Sequence, residues 1–265
     1  MGLFLVCAGL VLLAVMVSGF LLDGAAAETD FSRKNLAPGA GHLFGTDWMG
    51  RDMLARTLAG LSLSIRIGIL TAAVSAAVAL VLGTVSAVGG RKADAAISWC
   101  IDLVMGIPHI LLVMLISLTF GKGVAGVTAG VALSHWASLA RVIRGEILQL
   151  RQAPYILTAQ KLGVSRMRIA ARHMFPHVFP QFLTGLILLF PHAILHESGV
   201  TFLGFGLAPE QPAIGVILSE SMQYLTTGKW WLALFPGLSL VLVVVLFAMA
   251  GERVRKLTDP ASFHE

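Results

Sequence analysis

The chain reads as an all-α integral membrane protein with six transmembrane helices, and three observations predict it. Of 265 residues, 57% are hydrophobic and 12% charged, with a mean hydropathy of +0.84, whereas soluble domains carry about a quarter charged residues. Six apolar stretches are each long enough to cross about 30 Å of hydrocarbon at about 1.5 Å per residue. The basic residues divide unequally between the segments joining those stretches, which is how orientation is encoded.

The first stretch, 3–22, precedes Ala25-Ala26-Ala27, small residues of the kind found at signal-peptide cleavage sites. It lacks a charged leader and is long for a cleaved segment, so it is expected to be a retained span. An external segment, 23–61, follows, in which Asp47, Arg51 and Asp52 are placed to pair or to cap the next helix, a mostly solvated clasp. Spans two to four are expected at 67–88, 97–120 and 124–140, with Arg66 able to snorkel at a helix end. His109 follows Pro108 and reads as part of a kinked helix, while His135 beside Trp136 reads as an interfacial pair. Span five, 179–200, leads into 201–230, where Gly204, Gly206, Pro209, Pro212 and Gly215 interrupt an apolar stretch. Such backbone must pack on protein or line a cavity, because lipid satisfies no amides. It reads as a re-entrant cap or as an outer loop with a short amphipathic helix at 214–224, and span six at 231–250 closes the single membrane domain, 1–265.

The segment 141–177 sets seven basic residues, Arg141, Arg144, Arg151, Lys161, Arg166, Arg168 and Arg172, against one acid, Glu146. With Arg91, Lys92, Arg253, Arg255 and Lys256 these make twelve on one side. The other side has six: Arg33, Lys34, Arg51, Arg56, Lys122 and Lys229. Even parity and this excess place both termini in the cytoplasm.

No Gly-x-x-x-x-Gly-Lys-Ser/Thr is present, so ATP energy must enter through a partner, and this chain binds no cofactor of its own. Gly204-Phe205-Gly206 lacks the context of a dinucleotide site. Cys7 and Cys100 both fall inside expected spans and read as small buried hydrophobes. His192 and His196, four apart on one helix face, are candidate metal ligands beside the membrane-embedded Glu197, and together they form a candidate transport pathway. The same three residues would serve an intramembrane metalloenzyme, although the zinc-peptidase order His-Glu-x-x-His is not met. A secondary transporter is the third reading, and the internal repeats it calls for are not found.

Four stretches carry a resemblance along nearly the whole chain: Gly45-Thr46-Asp47-x-x-Gly50-Arg51-Asp52; Ser134-His135-Trp136-Ala137-x-x-Ala140-Arg141-x-x-Arg144; Tyr155 to Gly163 with Arg172-His173-x-x-Pro176; and Glu197-x-x-x-Thr201-Phe202-Leu203-Gly204-Phe205-Gly206. In this order and topology the chain resembles the permease subunits of bacterial ABC importers for dipeptides, oligopeptides and nickel. The resemblance implies an inner-membrane location, a second homologous permease, two ATPase subunits that bind ATP and Mg²⁺, and an extracytoplasmic binding protein. It further implies that a coupling helix docks into the ATPase, with Pro154, Tyr155, Leu157, Ala159, Leu162, Gly163, Arg166 and Arg168 forming the coupling loop. Tyr155, Ala159 and Leu162 are expected to face the ATPase, and Gly163 to give either a left-handed cap or a close backbone approach. The family's usual loop reads Glu-Ala-Ala-x-x-x-Gly, whereas this chain has Leu157 and Thr158 at the first two positions. The replaced Glu, Ser-His-Trp-Ala and His-x-x-x-His resemble the nickel branch and tilt the cargo toward a metal or metal chelate.

Overall fold

The computed structural model describes residues 2–258, apart from the side chains of Arg166, Met167 and Thr258. Its helices are α1 (Gly2–Leu21), α2 (Asp23–Ala27), α3 (Met53–Val88), α4 (Arg91–Gly106), α5 (His109–Phe120), α6 (Val124–Leu150), α7 (Pro154–Lys161), α8 (Arg166–Ile169), α9 (Phe175–Phe202), α10 (Ile214–Leu225) and α11 (Trp231–Thr258). Among the described residues, β pairing is confined to two isolated bridges in the segment before α3.

Single helices long and apolar enough to cross a membrane are α1, α3, α9 with its preceding turn, and α11, and the pair α4 and α5 together makes a fifth. That pair covers the third expected span, in which the kink expected at Pro108 is a break of 101°. Pro108 donates no amide hydrogen and drives Ile107 into extended backbone (φ −90°, ψ 135°), so α4 ends where α5 must start afresh. The fourth expected span, α6, has 27 residues but is not among the strongly apolar helices. It packs between α3, α5 and α9 and meets protein rather than lipid over much of its surface, which is why it tolerates Ser134, His135 and Ser138.

Glycine lets these helices approach closely. A Cβ at Gly83 of α3 would stand 2.8 Å from the carbonyl oxygen of Ala140, and one at Gly130 of α6 would stand 2.7 Å from that of Val113. The core between α3, α6 and α9 gathers Ile65, Trp136, Ile143, Phe190 and Ile194. Cys7 and Cys100 are exposed, not buried, since α1 and α4 each present most of their surface outward.

Candidate functional site

Helix α7 starts on Pro154 at its first turn, where a missing amide hydrogen is harmless, and ends on Gly163 at φ +78°. The amide of Gly163 donates to the Gln160 carbonyl (3.0 Å) and that of Val164 to the Ala159 carbonyl (3.1 Å). This is a Schellman cap, and a Cβ at Gly163 would meet nothing within 4 Å, so the glycine serves backbone conformation and not close approach. Ile156, fully buried, pins the helix to the bundle, whereas Tyr155 (51%), Leu157 (41%) and Leu162 (77%) stay exposed. Ala159 is half-buried against the chain's own core, so it does not share the outward face expected for it. The Arg168 amide contacts Ser165 Oγ (3.4 Å), and the Arg166 side chain lies outside the described residues.

The clasp before α3, expected to be external and solvated, is instead buried. Asp47 Oδ1 accepts from the amides of Met49 (2.8 Å) and Arg51 (2.9 Å), and Oδ2 accepts from Arg51 Nε (2.6 Å) and Arg56 Nη1 (2.7 Å). Glu220 of α10 accepts from Arg56 Nη1 (3.0 Å) and Arg51 Nη2 (3.3 Å). The Asp47 and Arg56 side chains are each 3% exposed, so the network is buried and ties the start of α3 to α10. Asp52 caps α3 by accepting from the Ala55 amide (2.9 Å), as its position predicts.

The segment 201–230 packs on protein. Gly204 (φ +83°) closes α9, with the Phe205 amide donating to the Val200 carbonyl (3.0 Å). The chain then reaches the α5–α6 turn, where the Gly123 amide donates to the Gly206 carbonyl (3.1 Å). Glu197 is completely buried and accepts from Ser198 Oγ (3.1 Å) and Thr201 Oγ1 (3.2 Å). Thr201 Oγ1 also accepts from the Leu207 amide (3.3 Å), so Glu197 supports this loop from beneath.

The histidines are regrouped. His196 does not pair with His192, which is exposed, but joins His109 and His135, and ligating atoms of these three lie within 4.8 Å of one another. Ring centroids are 4.3 Å apart for His109–His135, 4.5 Å for His109–His196 and 4.9 Å for His135–His196. His109 Nε2 is 3.2 Å from His135 Nε2, and His135 Nδ1 is 2.9 Å from the Val131 carbonyl oxygen. His196 Nδ1 is 2.8 Å from the His192 carbonyl oxygen. His109 and His135 also line a cavity of about 450 Å³ at the helix break, with Pro108, Ser134 and Ser138. From sequence alone these two histidines have only local roles, in a kinked helix and an interfacial pair. A usable signal existed, because both stand thirteen residues from Lys122 in the turn of a helical hairpin, a spacing that brings them level.

The helices of this chain, mostly apolar and without a sheet among the described residues, have the type I ABC importer permease fold. The chain matches the family of binding-protein-dependent transport system inner membrane components over residues 79–263 and belongs to it. It is 28% identical over 260 residues to the dipeptide transport system permease protein of Bacillus subtilis, covering 98% of this chain and 80% of that one. A protein of Brucella suis named as a peptide transport system permease is 32% identical over 251 residues, covering 95% of this chain and 84% of that one. A chain of the inward-facing MetNI methionine ABC transporter superposes with a TM-score of 0.64 at 15% identity, covering 78% of this chain and 98% of that one, a likeness of fold alone. The protein is thus a membrane-spanning, non-enzymatic permease subunit of an ABC importer, working with ATPase subunits and a binding protein. A metalloenzyme built on His192, His196 and Glu197 is not favoured, since Glu197 is buried beneath the outer loop and His192 is outside the cluster.

Proposed function

We propose that the chain, as one membrane domain, pairs with a second homologous permease and docks two ATPase subunits, which bind ATP and Mg²⁺, on its cytoplasmic segment 141–177. An extracytoplasmic binding protein delivers a small solute, a metal chelate or a di- or oligopeptide, to a path between the two permeases. Both termini are cytoplasmic, a reading supported by the twelve-to-six division of basic residues. The relatives named for dipeptides and peptides support the peptide class.

The observation that carries the coupling role is α7 itself: anchored by buried Ile156, capped at Gly163, and presenting Tyr155, Leu157 and Leu162 without a covering element. Pro154 and the cap hold the helix rigid, so that a push from the ATPase passes to α6, which precedes it, and through α8 to α9. Arg166 and Arg168 add positive charge beside the docking face. Left-handed backbone in a residue with a Cβ costs roughly 1–2 kcal/mol, and no steric clash adds to it at Gly163. Gly163→Val is therefore expected to abolish substrate-stimulated ATP hydrolysis and uptake in reconstituted vesicles while insertion persists, with Gly163→Asn retaining most of both. Full coupling in the valine variant would remove α7 from this role.

A further inference from the structure

We infer that His109, His135 and His196 form a ligand triad for a divalent transition-metal ion carried through the permease, a site that deepens the importer reading and rests on it. The three imidazoles come from three elements, α5, α6 and α9, and converge although 26 and 61 residues separate consecutive members in sequence. His109 Nε2 and His135 Nε2 are 3.2 Å apart. Two nitrogens bound at about 2.0–2.1 Å to one tetrahedral ion stand about 3.3 Å apart, so this separation matches two ligands of one ion, with His109 Nε2 also 3.2 Å from His135 Nδ1.

The surroundings set the tautomers. A carbonyl oxygen only accepts, so the Nδ1 atoms of His135 and His196, at 2.9 Å from Val131 O and 2.8 Å from His192 O, carry the hydrogen. That leaves Nε2 of each with its lone pair free to ligate, the second-shell pattern of metal-binding histidine. Imidazole alone, with no carboxylate in the cluster, suits nickel, cobalt, copper or zinc and not magnesium or calcium.

Three protein ligands leave coordination positions open, and neutral ligands leave the ion's two charges uncompensated. Both features fit a cargo that arrives with an anionic chelator and leaves again. Space for it exists, since His109 and His135 wall the cavity of about 450 Å³ at the Pro108 break, and His109 and His196 are only half-buried. The triad also has depth. His109 and His135 each lie eleven residues from the helix ends joined by the α5–α6 turn, roughly 16 Å at about 1.5 Å per residue, near the middle of about 30 Å of hydrocarbon.

The test uses the assembled transporter in nanodiscs and equilibrium binding of radiolabelled Ni²⁺ as its neutral iminodiacetate complex, whose tridentate chelator leaves three positions for imidazole. Saturable binding of one ion per copy of this chain is expected, weakened at least tenfold by His109→Ala, His135→Asn or His196→Ala and kept by His192→Ala. Co-purification with the ATPase subunits establishes that each variant assembles. No saturable binding to the unsubstituted complex, binding indifferent to the triad substitutions, or an equal loss in His192→Ala would overturn the site. Those results leave the importer reading standing, because it is judged separately by uptake and ATP hydrolysis in the Gly163 variants.

Discussion

Asp47 shows at the scale of one residue how a motif visible in sequence acquires its energetics from burial. A carboxylate that accepts from two amides and two guanidinium groups has every lone pair engaged, and its removal leaves Arg56, 3% exposed, with Glu220 as its remaining ionic partner. Breaking a buried pair from one side costs about 3–5 kcal/mol, against about 0–1 kcal/mol for an exposed one. Asp47→Ala is expected to lower the thermal stability of the purified transporter by the larger amount, and Glu220→Gln, at a position 23% exposed, by less. Denaturation of the detergent-solubilised complex measures both, and a loss under about 1 kcal/mol for Asp47→Ala would return the clasp to the solvated class.

Between elements, the contact of α3 with α6 depends on absent side chains. A Cβ at Gly83 would stand 2.8 Å from Ala140 O and 3.1 Å from Ile143 Cβ, whereas one at Gly145 of α6 meets nothing within 4 Å. The same glycine-to-alanine change should therefore act in opposite directions. Gly83→Ala is expected to destabilise by about 1–3 kcal/mol through overpacking, and Gly145→Ala to be neutral or to stabilise by up to about 1 kcal/mol through helix propensity. Thermal shift of the two variants in one background decides it, and equal shifts would mean that α3 and α6 are not held at this distance. The basic segment is also partly structural: Arg144 makes paired bonds to Asp94 of α4 (2.6 and 2.8 Å), Arg141 bonds to Asp102 (2.6 Å), and Arg151 donates to the Ala87 carbonyl (2.5 Å). These ties hold α4 and the end of α3 to α6 where Pro108 has broken the span.

For the whole molecule, the proposed orientation rests on the charge division. With Cys7 and Cys100 replaced by serine, Lys161→Cys is expected to resist an impermeant thiol reagent added to intact cells, and Lys34→Cys and Lys229→Cys to react. Labelling at 161 from outside would invert the topology. Both native cysteines must go because both are exposed on the protein surface. The outward apolar face of α1, α4 and α11 is consistent with lipid and a second permease as neighbours.

Composition and the order of apolar stretches determined by themselves that this is an α-helical membrane protein, and the four motif stretches carried its resemblance to importer permeases. These signals are local or summed, so they survive without knowledge of which residues meet. Helix α7 was legible for the same reason: Pro154 and Gly163 encode a start and a stop within ten residues, and Asp52 encodes a cap three residues from the amide it accepts. Pro108 likewise announced a kink, although its angle depends on where α4 finds its ion pairs on α6. What only the tertiary structure decided was long-range: that His196 turns toward His109 and His135 instead of pairing with His192, that Glu197 supports the outer loop, and that Asp47 and Arg56 are dry. A helix of 3.6 residues per turn fixes which side chains share a face, but which face meets which neighbour depends on packing between helices far apart in the chain, where small residues such as Gly83 and Gly130 set the distance.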